Sequence, residues 1–304
     1  MLTNWVALSL IYVVLGALVN VFNGHYLSRR MPDVYSYLFI IGIPSLIAGV
    51  VLLSIFPFPA DIEITTLLLA LAAAILRTTG AIMMYYMTKH EEITRVSSLG
   101  SVGPIFVAIL AVIFLGSDIT LLQFMAIIIV VIGLVLLSIK FYEKQPFRFL
   151  YKRSLFVLAA CLLISIATVI DKYTLTYLSF WNNSGILFTV FSVTFIIFSL
   201  RQSSIKNIFN FNNRLPVIAG ITGNQVLTLL TLIIFYQAVQ SGPVASVSTI
   251  AAIKPVVIFV ASTVLGFLVP GFLLDEVSIK RNLLLKLLAV VLIVGGLIIL
   301  IQNN

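Results

Sequence analysis

The chain has 304 residues, 61% of them apolar and only 9% charged, with a mean hydropathy of +1.19 and a formal net charge of +8. A soluble domain carries about 25% charged residues, so this chain cannot cover a globule of its own size with polar surface, and a soluble domain is excluded. Runs such as 124–139 are apolar on every side, whereas strands of a membrane barrel alternate apolar with polar residues.

A hydrocarbon core of about 30 Å takes roughly 20 residues of helix to cross. Ten segments of that kind follow one another: 5–27, 34–56, 63–88, 95–115, 119–140, 154–178, 183–200, 215–239, 243–268 and 282–302. The reading is an all-α polytopic membrane protein with ten transmembrane helices. The first segment begins at Trp5 after an uncharged Met-Leu-Thr-Asn, with no basic stretch and no small-residue cleavage site. It reads as a retained helix, not a signal peptide. The single cysteine, Cys161, excludes an intramolecular disulfide framework and a Cys-based zinc site. With two distant histidines besides, no metal and no cofactor is expected.

Of the 18 Lys and Arg residues, Arg77, Lys172 and Lys254 fall inside segments. All the others lie at or beside odd-numbered connections: Arg29 and Arg30, Lys89 and Arg95, Lys140 to Arg153, Arg201 to Arg214, and Lys280 to Lys286. Cytoplasmic loops are the ones enriched in Lys and Arg, so the odd connections are expected inside and both termini outside. Topology and contact with anionic lipid headgroups account for the net charge, and no nucleic acid is needed to explain it.

The chain also repeats itself. Residues 85–104 and 236–255 each start with Tyr and end in a Val-Ser-Ser/Thr run followed by Pro, as Val96-Ser97-Ser98 with Pro104 and Val247-Ser248-Thr249 with Pro255. Val19 to Leu27 pairs with Ala167 to Leu175, which sets Asn23 on Asp171 and His25 on Tyr173, and Gly133 pairs with Gly295. Two five-helix repeats follow, 1–140 and 154–304, joined by a cytoplasmic linker over 141–153. Because five is odd, the repeats are inverted, an arrangement that places a substrate site near the midplane between them.

With these features the sequence resembles the drug/metabolite transporter superfamily, in its ten-helix EamA-type branch. The Val-Ser-Ser/Thr runs before Pro, Leu115-Gly116 followed by Ile119-Thr120, and Asp171-Lys172-Tyr173 carry the resemblance. It departs from the family pattern at Ser117-Asp118, at Leu15-Gly16 and in an insertion around Pro270 to Glu276. The resemblance implies a secondary transporter working by alternating access, an exporter or exchanger in a bacterial or archaeal cytoplasmic membrane.

Charges inside the membrane are the first candidates for its site, because each costs at least ~2.5–3.5 kcal/mol to insert at mid-bilayer. Arg77 sits about 14 residues into the third segment on a smooth face of Ala73, Ala74, Gly80 and Ala81, with Tyr85 two turns further on. Lys254 precedes Pro255, whose ring frees the carbonyl of Ala251 and is expected to kink the helix. Asp171 is a candidate to neutralise Arg77 or Lys254 or to carry a coupling proton, and Lys172 and His25 are candidates for gating. Asn20, Gln225, Tyr236, Ser98 and Thr249 complete the candidate substrate contacts. If all four intramembrane charges lined one cavity, three positives against one negative would favour an anion.

The expected function is therefore secondary active transport of a small organic metabolite, anionic by the charge count. A flippase for a lipid-linked sugar or a phospholipid is the alternative on the same fold. A membrane enzyme or a non-transporting chaperone ranks behind both, since no phosphate loop, His-Glu-x-x-His or Gly-x-Ser-x-Gly motif is present. The small residues from Gly42 to Gly49 offer a packing face either within the chain or toward a second copy in a homodimer.

Overall fold

The computed structural model describes residues 4–91, 93–138, 152–200, 214–258 and 283–302. The expected linker up to residue 151, the basic residues at 201–206 and 280–281, and the insertion around Pro270 to Glu276 lie outside the described residues.

All regular structure among the described residues is helical. The order is α1 (Asn4–His25), running on as a π turn over Tyr26–Arg30, then α2 (Val34–Ile55), α3 (Ile64–His90), α4 (Ile93–Gly100), α5 (Gly103–Leu115) and α6 (Leu121–Ser138). It continues with α7 (Lys152–Thr174), α8 (Phe180–Ser199), α9 (Arg214–Ser241), α10 (Val244–Ala251) and α11 (Leu283–Gln302). Six of the helical stretches are long and apolar enough to cross a membrane, and four shorter apolar ones accompany them. The chain is an integral membrane protein.

Polar side chains set the helix starts. The Asp33 carboxylate accepts from the Ser36 backbone N–H at 2.7 Å and from its hydroxyl at 2.9 Å, capping α2. Thr120 and Gln123 form a reciprocal capping box ahead of α6: each side-chain oxygen accepts from the other residue's backbone N–H, at 3.3 and 2.8 Å. Gly116, at φ 59°, takes the left-handed conformation that ends α5.

Two segments expected to be continuous are broken. The fourth divides into α4 and α5 around Ser101 and Val102, and the ninth breaks after α10, at Ala252 and Ile253, with helical turns resuming at 254–258. Both breaks sit just before a proline, Pro104 and Pro255. Pro104 has no N–H to offer the carbonyl of Gly100, and the Cys161 thiol donates to that carbonyl instead, at 3.5 Å. The two breaks meet, because the Ser101 hydroxyl donates to the carbonyl of Ala252 at 3.0 Å. The sixth segment also stops short of 178, with α7 ending at Thr174 and turns following it.

Among the described residues, the main helix pairs recur when the elements of residues 4–138 are exchanged for those of 152–302, with α4 answering to α10. The pairs α2 with α8 and α6 with α11 map onto themselves. The pair α3 with α7 maps onto α9 with α1, and α4 with α7 maps onto α10 with α1. Glycines allow the closest crossings. A Cβ on Gly49 would lie 2.7 Å from the Thr189 nitrogen and 3.2 Å from the Gly185 oxygen, both in α8. Gly42 likewise meets Ile196 and Phe195, so the Gly42 to Gly49 face packs within the chain.

Gly133 and Gly296 do the same for α6 and α11. A Cβ on Gly296 would lie 2.7 Å from a Val130 methyl and 3.0 Å from the Ala126 oxygen, whereas one on Gly295 would meet nothing within 4 Å. The packing counterpart of Gly133 is thus Gly296, one residue on from the sequence match. Gly296→Ala should lower the unfolding temperature by overpacking, at a cost of about 1–3 kcal/mol. Gly295→Ala should leave it unchanged or raise it, because alanine is the better helix former; thermal unfolding in detergent measures both.

Candidate functional site

A cavity of about 290 Å³ lies among α1, α3, α4, α7, α9 and the broken end of α10. Tyr12, Gly16, Val19, Asn20 and Asn23 form one stripe of α1 along it, and Arg77, Ala81, Met84, Tyr85 and Thr88 form a stripe of α3 with the same spacing. Both follow the helical face on which positions i, i+4, i+7, i+8 and i+11 fall together. Thr228, Thr231 and Leu232 of α9, Ser97, Gly100 and Ser101 around the first break, and Ala251, Ala252 and Lys254 around the second complete the polar and small-residue wall.

Arg77 and Asp171 form a buried ion pair at 2.5 Å, and Arg77 also donates to the Thr168 hydroxyl at 3.0 Å. Thr168 and Asp171 stand three residues apart on α7 and so share a face. The approach is close because Gly80, one turn along α3 from Arg77, lets the α7 backbone in: its Cβ would lie 3.0 Å from the Ala160 oxygen. The guanidinium carbon lies 5.4 Å from the Phe235 ring centre and 5.6 Å from that of Tyr236. Its Nε–H is buried with no hydrogen-bond partner.

Lys254 has a different environment. Its ammonium donates to the Tyr12 hydroxyl at 2.6 Å and lies 3.9 Å from the centre of the Tyr12 ring. Its stem rests on Gly16, where an added Cβ would come within 3.2 Å of the lysine Cε. Among the described residues it makes no ion pair. Tyr12 and Phe235, whose ring centres are 4.7 Å apart, stand between the two cations. The aromatic chain therefore runs from Lys254 through Tyr12 and Phe235 to Arg77.

The sequence candidates divide accordingly. Arg77, Lys254, Tyr85 and Asn20 all line the cavity, and Tyr236 packs against Arg77 from behind. Asp171 is 2% exposed and reaches the site only through Arg77. Gln225 donates to the Ser45 hydroxyl at 3.0 Å, tying α9 to α2, and the Thr249 hydroxyl donates within α10 to Ala245 at 2.7 Å. His25 is buried at the end of α1, where its Nε2 accepts from Arg30 at 3.4 Å. The side chain of Ser98 lies outside the described residues.

Lys172 does not join the cavity. It donates to the carbonyls of Val239, Gln240 and Gly242 at 2.8, 3.2 and 2.9 Å, binding the C-terminal end of α9. The premise of four charges in one cavity is thereby corrected: two cations line it, one of them already paired. Gln240 in turn donates to the Leu175 carbonyl at 3.1 Å, and Asn182 to that of Phe56 at 2.7 Å, while Phe56 stacks on Trp181 at 4.8 Å. These links gather the second, sixth and eighth connections at one end of the bundle. The cavity extends the other way, past Asn23 and Thr88 toward Val96, beside the first and third connections.

Sequence reasoning missed Tyr12, Phe235, Thr168 and Ser101. Tyr12 was findable, since Tyr12, Gly16, Asn20 and Asn23 are one helical stripe. Nothing local marks Thr168 or Phe235, which matter only through the packing of α7 and α9 around α3.

Comparison with known proteins gives three findings. Residues 5–139 match the EamA-like transporter family. An uncharacterized protein of Methanocaldococcus jannaschii is 34% identical over 70 residues, 23% of this chain and 51% of that protein, so the match spans about half the relative's length. One solved crystal structure superposes over 100% of both chains with a TM-score of 0.67 at 12% sequence identity, a likeness of fold.

Proposed function

Residues 5–139 match the EamA-like transporter family, and on that match we propose that the chain is a transporter of the drug/metabolite type that carries a small organic anion across the membrane by alternating access. The observation that carries the anionic assignment is Lys254, a cation in the cavity wall held by a phenol and an aromatic face with no carboxylate paired to it among the described residues. A cation in a low-dielectric site attracts a counter-charge strongly. The volume of about 290 Å³ suits a metabolite at the lower end of ordinary ligand sites, about 300–1,000 Å³, and favours that reading over a lipid-linked sugar.

The mechanism is the rocking of two inverted repeats, 1–140 and 154–304. The helix pairs that recur on exchange and the two proline-marked breaks that meet at Ser101 and Ala252 support it. With the basic odd connections inside, both termini lie outside and the cavity in this conformation faces the cytoplasm. Lys172, Gln240 and Asn182 then hold the outer end shut, and outward opening breaks the Lys172 contacts. Against a Cys161→Ser background, which removes the single native thiol, Lys172→Met should speed labelling of a cysteine placed at Leu232 by an impermeant reagent from the even-connection side. An unchanged rate would count against the seal.

The test of the solute class is a thermal-stabilisation screen of the purified protein against organic anions, cations and neutral solutes. Small carboxylates or phosphate esters should raise the unfolding temperature. Stabilisation by organic cations alone would refute the anion reading.

A further inference from the structure

We propose that Asp171 sets the charge of the transported solute, selecting monoanions over dianions by cancelling Arg77 and leaving Lys254 as the one uncompensated charge among the described residues of the cavity. This rests on the anion reading above and narrows it. Among the described residues, the charged groups lining the cavity are Arg77 and Lys254. Asp171, directly behind Arg77 at 2.5 Å, is the only carboxylate among the described residues that pairs with either. The cavity wall therefore carries one net positive charge. A solute bound in a poorly hydrated site is held best when the sum of charges is zero, because any charge left over stays desolvated and unpaired. A monoanion meets that condition and a dianion overshoots it. A zwitterionic amino acid would bring an ammonium to a wall whose one carboxylate is already taken.

The same geometry says how the solute is held. Asp171 and Thr168 occupy Nη2 of Arg77, but its Nε–H has no partner, and Arg77 is 6% exposed. A buried donor of this kind is costly unless something accepts from it. That nitrogen is sealed off in this conformation, so a solute oxygen reaches it only when neighbouring side chains shift. Asn20, Asn23 and Thr228 add neutral hydrogen-bonding groups along the wall. The substrate class is a monocarboxylate bearing further hydroxyl or carbonyl oxygens, with its carboxylate at Lys254.

The test follows thermal stabilisation of purified protein at neutral pH by gluconate as the monoanion and by malate and glycerol 3-phosphate as dianions. The wild type should bind gluconate tighter by about tenfold or more, the low end of what one uncompensated charge a few ångströms away costs between a water-like and a protein-like dielectric. Asp171→Asn raises the wall to two positive charges and should reverse the order. Arg77→Gln lowers it to zero and should abolish the anion response. The double variant Arg77→Gln/Asp171→Asn, which buries no charge and so keeps its fold if a single variant does not, returns the wall to one. It should restore the monoanion preference at weaker affinity, since the Nε donor is gone. A purely structural role for the pair would lower stability in the single variants without changing the order of solutes, and would overturn the inference. A dianion preference in the wild type or the double variant would also overturn it, leaving the anion reading intact. Failure of every anion to stabilise any form would remove both.

Discussion

Asp171→Ala should destabilise the protein by about 3–5 kcal/mol, the usual cost of leaving one partner of a buried ion pair without the other. Arg77 is 6% exposed and has no second carboxylate within reach among the described residues, so its charge would stay in the bundle with the Thr168 and Tyr236 hydroxyls and two ring faces near it. The double variant Arg77→Met/Asp171→Leu should recover most of that loss. Replacing a whole buried pair with apolar side chains of similar volume ranges from neutral to stabilising by about 1–4 kcal/mol. Unfolding of the detergent-purified protein, followed by heat or denaturant, measures both. Equal losses in the single and double variants would show that α3 and α7 depend on the pair itself, not on the absence of an unpaired charge.

The second large effect falls on binding and leaves the fold alone. Lys254→Gln should weaken anion binding by about 2 kcal/mol or more, some thirtyfold, since removing one member of a desolvated charge pair costs about 2–5 kcal/mol. The loss in stability should be small, because the lysine head has only the Tyr12 hydroxyl and ring for company. Glutamine keeps a donor for that hydroxyl. Lys254→Arg should retain part of the binding by keeping the charge, displaced by its larger planar head. The screening anion's half-stabilising concentration in the three proteins gives the answer, and an unshifted value in Lys254→Gln would put the counter-charge elsewhere.

Much of this architecture is legible in the sequence because a membrane removes the usual ambiguity. Apolar runs of bilayer length can only be helices, and the basic residues mark every other connection. The repeat is visible as two Val-Ser-Ser/Thr runs before Pro104 and Pro255, and the structure adds that the breaks these prolines cause touch at Ser101 and Ala252. The site is partly legible for the same energetic reason: Arg77 and Lys254 are conspicuous at mid-membrane, and both line the cavity. Their pairing is only half legible: the sequence offers Asp171 to either cation, and the structure gives it to Arg77. Asp171 and Lys172 are adjacent in sequence yet diverge by about 100° around the helix, so one meets Arg77 and the other caps α9, and only packing decides which goes where. The Gly42 to Gly49 face was ambiguous because a smooth face suits any close neighbour, and α8 supplies it here.

Entrance counterflow in proteoliposomes tests most directly the claim that this is an anion carrier with Lys254 as its counter-charge. With the carboxylate that best stabilises the purified protein loaded inside, the wild type should take up the labelled anion with a transient, saturable overshoot. Lys254→Gln, reconstituted at equal density, should show none. Overshoot with an organic cation in place of the anion, or an undiminished anion overshoot in Lys254→Gln, would contradict the account.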